Sequence, residues 1–201
     1  MALIEASRRG EMPAEVVLVL ADVADAPVLE KARSAGVRAE HIPPGTARPV
    51  LAPEAEEEYV RRLREARVDL VCLAGFMRII RRPLLEAFPG RILNIHPSLL
   101  PAFPGLSAQR QALDYGVKVS GATVHIVDAG TDTGPILVQQ AVPVRETDTA
   151  EELAGRILQV EHQLYPRAVR IMAQGKIERE GRRARILSEP PCPARWPQEK
   201  G

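Results

Sequence analysis

Residues 91–105 read RILNIHPSLLPAFPG, an apolar run that leads into a loop containing three prolines. The first part, rich in isoleucine and leucine, is typical of a buried β-strand. Alternate residues of a strand point to the same face, so Asn94 and His96 are expected to lie side by side where this strand ends. An amide and an imidazole placed together on a buried strand indicate a functional site.

Similar apolar runs occur along the chain and alternate with helical patterns. Besides the run around Asn94, the predicted strands cover residues 15–21, 37–42, 68–74, 121–127 and 136–144. The predicted helices cover residues 27–35, 54–66, 82–87, 108–115 and 149–174. This alternation predicts an α/β fold with a doubly wound, mainly parallel sheet and helices on both faces. Ligands bind such a sheet beyond the carboxyl ends of its strands, where Asn94 and His96 are expected.

Composition and charge restrict the class of protein. The 201 residues are enough for one substantial domain, and a formal net charge of +1 gives no reason to expect a nucleic-acid or anionic membrane surface. Cys72 and Cys192 are too few for a disulfide framework and fit a reducing cytoplasm. No apolar run reaches the roughly 20 residues of a membrane helix. The composition therefore predicts a soluble, cytoplasmic protein without nucleic-acid or membrane partners.

Three loops are candidates for one common site: residues 75–80, 94–105 and 128–135. The polar residues in and near them also have structural interpretations. His96 could simply end its strand with a backbone hydrogen bond, and Asp132 lies in a Gly- and Thr-rich turn where an aspartate commonly caps its own backbone. His125, inside a predicted strand, is more often a structural histidine than a catalytic one. The cysteines and histidines show no metal-ligand spacing, so no metal is expected.

Five segments of the chain are distinctive when taken in order. They are LAGFMRII, ILNIHPSLLPAFPG, QRQAL, GATVHIVDAGTDTGPIL and VEHQLYP. Together they resemble the formyltransferases that use 10-formyltetrahydrofolate, with similarity from about residue 27 to about residue 176. Asn-x-His-Pro-Ser-x-Leu-Pro followed by Asp-x-Gly-x-Asp-x-Gly is specific to this family. Pro-x-Phe-Pro-Gly at residues 101–105 resembles the branch that acts on glycinamide ribonucleotide rather than the branch that acts on transfer RNA.

The resemblance implies transfer of a formyl group from 10-formyltetrahydrofolate to the amine of glycinamide ribonucleotide, in de novo purine synthesis. The amine attacks the formyl carbon, and a tetrahedral intermediate with a developing oxyanion forms. Such a reaction needs hydrogen-bond donors aimed at that oxygen and a group that moves protons near neutral pH. The resemblance assigns polarisation of the carbonyl to Asn94, oxyanion stabilisation and proton transfer to His96, and the carboxylate beside the histidine to Asp132.

The resemblance also assigns binding residues. The co-substrate is expected to contact Met77, Arg78, Ile79, Ile80, Asn94, Asp128, Ala129, Gly130, Thr131 and Asp132, the first four largely through their backbone. The ribonucleotide is expected to contact Leu158, Gln159, Val160 and Glu161. Glu161 is the expected ribose ligand, although a glutamate on a long helix is more often just solvated.

The chain departs from the family at its beginning. Family members begin with a buried strand and a Gly-rich turn that holds the substrate phosphate at a helix N-terminus. Residues 1–9 resemble the helix after that turn, so the first strand and the phosphate loop are expected to be absent. The loop at residues 43–53 lacks the arginine expected near the folate, and Arg48 does not align clearly. Folate binding is therefore better supported by the sequence than ribonucleotide binding.

Alternatives to a transferase stay open at the level of the sequence. One is a non-catalytic folate-binding relative without a nucleotide site, and another is a formyltetrahydrofolate hydrolase in which water replaces the amine. A homodimer is possible. The expected organisation is a formyltransferase domain at residues 1–180, followed by a peripheral hairpin and a Pro-rich tail at residues 181–201.

Overall fold

The computed structural model of the chain describes residues 1–46 and 49–187. The helices are α1 Ala2–Arg8, α2 Pro27–Ser34, α3 Pro53–Glu65, α4 Arg82–Ala87, α5 Ala108–Tyr115 and α6 Ala150–Ala173. The strands are β1 Leu18–Ala21, β2 Arg38–His41, β3 Val71–Leu73, β4 Ile92–His96, β5 Val119–Ile126, β6 Ile136–Pro143, β7 Ile177–Glu180 and β8 Arg183–Ile186. Local sequence marks several helix starts: proline occupies the first turn of α2, α3 and α4, and Thr149 and Glu152 form a capping box before α6.

The strands form two sheets. β1 and β2 pair in parallel as a two-stranded sheet, and the larger sheet has the order β3-β4-β5-β6-β8-β7. In the larger sheet the pairs β3-β4 and β6-β8 are parallel, whereas β4-β5, β5-β6 and β7-β8 are antiparallel. The antiparallel half differs from the mainly parallel pairing that the sequence predicts. β5 and β6 form a hairpin because the loop at residues 127–135 is shorter than the dozen or so residues that a parallel crossover needs.

Strand β4 shows how the helices are distributed over the sheet. Leu93 packs in the main core with residues of α1, α5 and α6, whereas Ile92 packs in a second core with residues of α3 and α4. Consecutive strand residues point to opposite faces, so helices cover both faces of the sheet. This arrangement confirms the predicted α/β class and its helical layers.

Helix α1 packs in two cores. Ala6 is buried in the main core next to α6, and Ile4 packs with Ala32 of α2 in a small core beside β1 and β2. Within the described residues, β1 has β2 as its one strand partner, and β3 has β4 as its one strand partner. The expectation that the family's first strand and phosphate loop are absent stays a prediction.

The C-terminal hairpin consists of β7 and β8, which are joined around Gly181. It adds to the larger sheet where Arg183 of β8 pairs with Ile136 of β6. The expected division of the chain at residue 180 stays a prediction. The expected Pro-rich tail from residue 188 onward, including Cys192, and Arg48 lie outside the described residues.

Candidate active site

Asn94 and His96 of β4 both contact one carboxylate in the loop between β5 and β6. Asn94 Nδ2 lies 3.4 Å from Asp132 Oδ1, and His96 Nδ1 lies 3.3 Å from Asp132 Oδ2. The side chains of His96 and Asp132 are both largely buried, which strengthens the interaction between them because water screens it little. The structure therefore brings together the three residues that the resemblance assigns to catalysis.

The carboxylate of Asp132 is also held from the loop that follows β4. Its Oδ2 accepts a hydrogen bond from the backbone N–H of Gly105 at 2.8 Å. Asp132 has a φ of 55°, in the left-handed region that aspartate tolerates better than most residues. This carboxylate thus links two loops, and the alternative in which Asp132 only caps its own turn does not describe it.

The turn-capping role belongs to Asp128. Its Oδ1 accepts hydrogen bonds from the Gly130 N–H at 3.0 Å and from the Thr133 hydroxyl at 2.7 Å. A Cβ atom at Gly134 would lie 1.7 Å from the Ile126 carbonyl oxygen, so this position requires glycine. The hydrogen bonds of Asp128 hold the start of the loop, and the close packing of Gly134 holds its end. Residues 128–131, four of the expected co-substrate contacts, are exposed along it.

The electrostatic environment keeps the Asp132 carboxyl ionised. Burial by itself would raise the pKa of Asp132, but several favourable interactions outweigh burial. They are the close approach of the His125 side chain, the hydrogen bond from the Gly105 N–H, and the electrostatic influence of the His96 and His125 imidazoles. The pKa of Asp132 is therefore lowered, and at neutral pH its two oxygens act as acceptors.

His96 has a neighbour at each ring nitrogen. Nε2 lies 2.8 Å from the Phe103 carbonyl oxygen, and Nδ1 faces Asp132. A carbonyl oxygen can only accept a hydrogen bond, so the contact with Phe103 requires a proton on Nε2. His96 thus makes the backbone hydrogen bond of the structural interpretation and also the carboxylate contact of the catalytic one.

Thr123 and Gln139 support the site and were missed by sequence reasoning. Thr123 is fully buried and pairs with His96 across β4 and β5. Its hydroxyl donates to the Ser98 carbonyl at 2.7 Å and accepts from the Leu100 N–H at 3.0 Å and from Gln139 Nε2 at 2.8 Å. These bonds hold the loop after β4 against the sheet. The sequence did carry a signal for Thr123, because polar residues occupy alternate positions along β5, the strand on which it lies.

His125, which the sequence favours as a structural histidine, lies in the same cluster. Its Nδ1 is 3.1 Å from the Ile126 carbonyl oxygen, as expected of a structural residue. Its Nε2 is 3.3 Å from Asn94 Nδ2 and 3.6 Å from Asp132 Oδ1. Asn94 and His125 are partners across the antiparallel strands, so the strand pairing brings this histidine into the site.

The expected co-substrate segment at residues 77–80 lies after the strand next to β4. It follows β3, whose last residue, Leu73, pairs with Asn94. Its side chains alternate, since those of residues 77 and 79 are exposed and those of residues 78 and 80 are buried. The buried guanidinium of Arg78 forms an ion pair with Asp22, so it is turned into the protein.

The expected ribonucleotide segment at residues 158–161 lies on α6. Its first two residues are exposed and its last two are partly buried, and burial raises the pKa of the Glu161 carboxyl. One turn later, the Tyr165 hydroxyl donates to the Leu73 carbonyl at 2.7 Å, which ties α6 to the end of β3. Among the described residues, no hydrogen bond or ion pair joins this segment directly to the Asp132 cluster.

Two general features complete the description of the site. In the part of the chain that the structure describes, no group of three His, Cys, Asp or Glu side chains is arranged to hold a metal ion. None of the described helices is both long and apolar enough to cross a membrane. The groups that the cluster offers to a bound substrate are an amide donor, imidazoles and an ionised carboxylate.

A strand-end cluster of amide, imidazole and carboxylate on an α/β sheet suits acyl transfer, and sequence comparison agrees with it. Residues 1–169 match the family described as Formyl transferase. Because the match covers most of the chain, the protein belongs to the formyl transferase family.

Individual relatives lie within this family. The crystal structure of glycinamide ribonucleotide transformylase 1 from Symbiobacterium toebii is similar with a TM-score of 0.89 and 55% identity, covering 93% of this chain and 87% of that one. Phosphoribosylglycinamide formyltransferase of Bacillus subtilis (strain 168) is 42% identical over 84% of this chain and 86% of its own length. The trifunctional purine biosynthetic protein adenosine-3 of Drosophila pseudoobscura pseudoobscura is 45% identical over 89% of this chain. The chain spans only 13% of the length of that larger protein.

Proposed function

We propose that this chain transfers the formyl group of 10-formyltetrahydrofolate to the amine of glycinamide ribonucleotide, a step of de novo purine synthesis. The observation that carries the proposal is the contact of one buried carboxylate, that of Asp132, with both Asn94 and His96. The names of the Symbiobacterium toebii and Bacillus subtilis relatives support formyl transfer to glycinamide ribonucleotide. The proposed location is the cytoplasm.

The proposed mechanism uses each member of the cluster differently. Asn94 donates a hydrogen bond from its amide to the formyl oxygen as negative charge develops there. His96 stabilises the same charge. The attacking amine loses a proton as the new C–N bond forms, and His96 passes a proton toward the folate nitrogen as the old C–N bond breaks. Asp132 remains ionised because its pKa is lowered, so it orients the imidazole and stabilises the imidazole when it is protonated.

The two substrates are proposed to contact different sets of residues. The folate contacts Met77, Arg78, Ile79, Ile80, Asn94, Asp128, Ala129, Gly130, Thr131 and Asp132. The ribonucleotide contacts Leu158, Gln159, Val160 and Glu161, with Glu161 on the ribose. The anchoring of α6 to the end of β3 by Tyr165 supports this division, because it holds the two proposed surfaces next to β4.

The alternatives from the sequence are less well supported. A non-catalytic folate-binding relative has no physical need for an ionised carboxylate that contacts both an amide and an imidazole in a buried cluster. A hydrolase would use the same cluster with water in place of the amine. The relatives named as formyltransferases, at 42% and 55% identity, favour transfer.

The proposal is tested by incubating the purified chain with 10-formyltetrahydrofolate, with and without glycinamide ribonucleotide. We expect formylated ribonucleotide, detected by mass spectrometry, in step with release of tetrahydrofolate, and no turnover without the amine. Asp114→Asn, which changes an exposed carboxylate on α5, is a control that should keep full activity. Formate release without the amine would identify a hydrolase, and folate binding without turnover would identify a non-catalytic relative.

Small molecules are the proposed partners, with neither nucleic acid nor membrane involved. A homodimer stays a prediction, and light scattering after size-exclusion chromatography would measure it. Activity that is independent of protein concentration across any monomer–dimer transition would show that one chain carries a complete site.

A further inference from the structure

A buried ion pair between Asp22 and Arg78 lies outside the cluster around Asp132. Arg78 Nε donates to Asp22 Oδ2 at 2.7 Å, and the side chains of Arg78 and Asp22 are 6% and 11% exposed. Asp22 follows β1 of the two-stranded sheet, whereas Arg78 follows β3 of the larger sheet. The pair therefore joins segments that follow strands of two different sheets.

Arg78 also holds the loop that follows β2. Its Nη1 donates to the carbonyl oxygens of Thr46 and Val50, both at 3.1 Å. The next residue, Ile79, donates its backbone N–H to the Pro49 carbonyl at 2.8 Å and forms an isolated β-bridge with Val50. A guanidinium presents its donors in a rigid planar fork, so it can hold a carboxylate and backbone carbonyls at once. The Arg78 side chain thus holds both Asp22, which follows β1, and the loop that follows β2.

The exposure of the neighbouring side chains follows from this anchoring. Met77 is 47% exposed and Ile79 is 41% exposed, on either side of the buried guanidinium. At the ends of the segment, Phe76 packs edge-on against Tyr59 with ring centroids 5.9 Å apart, and Ile80 is buried. Because the Arg78 side chain and the residues at both ends of the segment are held inside, Met77 and Ile79 are the side chains that it presents to solvent.

We propose that Asp22 and Arg78 are positioning residues for folate binding. The inference rests on the proposed function, because the folate is the co-substrate of that reaction. The ion pair sets the backbone of residues 77–80 and leaves Met77 and Ile79 to line the pterin site. Arg78 therefore acts through the loop and not through a side-chain contact with the folate. Loss of the Asp22 charge leaves the buried guanidinium of Arg78 without its carboxylate. Residues 77–80 then lose the arrangement that binds the folate.

The test measures binding and kinetics of Asp22→Asn and Arg78→Lys with a folate analogue that has no transferable formyl group. We expect the Kd for the analogue and the KM for 10-formyltetrahydrofolate to rise by about tenfold or more. The KM for the ribonucleotide and kcat at saturating folate are expected to change by less than about threefold. Asp22→Glu, which keeps the charge, should restore part of the affinity. In hydrogen exchange, the Ile79 amide should exchange faster in Asp22→Asn, while amides in α6 keep their protection.

Asp148→Asn is the matched control, because it breaks another ion pair, which joins the residues before α6 to Arg156 of α6. Arg156 donates to both oxygens of Asp148 and to the Pro143 carbonyl, so it resembles Arg78 in its partners. This variant should lower Tm but leave the Kd for the analogue unchanged. An unchanged Kd in Asp22→Asn, or an equal change in the two variants well below their Tm, would overturn the inference while the proposed function stands. A native chain without affinity for the analogue would overturn both.

Discussion

His96 Nδ1 lies 3.3 Å from Asp132 Oδ2, and the same oxygen accepts the N–H of Gly105. The end of β4 and the loop that follows it therefore both contact one carboxylate oxygen of the loop between β5 and β6. The position of the imidazole depends on all three, so changes at this carboxylate should affect chemistry more than ligand binding.

We expect His96→Ala and Asp132→Asn each to lower kcat by at least about a hundredfold, the lower end of what general acid–base catalysis contributes. Both groups act on charge that appears in the transition state, so kcat should fall far more than the affinity for a folate analogue, including in Asp132→Asn, which keeps the shape of a proposed folate contact. Steady-state kinetics and calorimetry measure the two effects. A kcat within about tenfold of the native value, a difference of about 1.4 kcal/mol in the barrier, would show that the assigned roles are wrong.

Asp132 should also make stability depend on pH in the acid range. Its pKa is lowered in the folded protein, so the ionised group stabilises the fold above its ordinary pKa of about 3.9. This contribution is lost as the pH falls through the lower, folded value. Urea denaturation of the native chain and of Asp132→Asn at pH 5 and pH 3 tests it. The difference in free energy of unfolding should shrink at pH 3, and an equal difference at both pH values would contradict the prediction.

The hydroxyl of Thr123 should contribute to stability more than its size suggests. Thr123→Val leaves the Ser98 carbonyl, the Leu100 N–H and one N–H of Gln139 without this partner. At about 1–3 kcal/mol for each buried group left unsatisfied, we expect a loss of about 2 kcal/mol or more in the free energy of unfolding. Thr123→Ser keeps the hydroxyl and should cost about 1 kcal/mol for the lost methyl group. Equal losses in the two variants would assign the effect to packing.

Glu161→Gln should separate stability from ribonucleotide binding. Burial raises the pKa of Glu161, so ionising this carboxyl costs free energy in the folded chain as the pH rises above its ordinary value of about 4.3. We expect the variant to have a higher Tm at pH 7 and a higher KM for the ribonucleotide, with the KM for the folate unchanged. An unchanged KM for the ribonucleotide would remove Glu161 from the proposed binding surface.

The local sequence determined the elements and one part of the site. The apolar runs and proline positions predict most helices and strands, because backbone geometry within a few residues sets these patterns. Because alternate residues of a strand point to the same face, the local sequence alone places Asn94 and His96 side by side. The family motifs added Asp132, whose partners no local pattern specifies.

Tertiary structure decided which further distant groups meet. The antiparallel pairing of β4 with β5 brings His125 to Asn94 and Thr123 to His96, and no periodicity in either strand specifies that pairing. The sequence around Arg78 is equally compatible with a side chain that faces a ligand. The fold instead places Asp22 beside its guanidinium. Strand pairing and loop docking depend on the path of the whole chain, because they gain free energy only when distant segments close on one another. The sequence thus determined what each segment offers, and the packed fold determined which segments share a site.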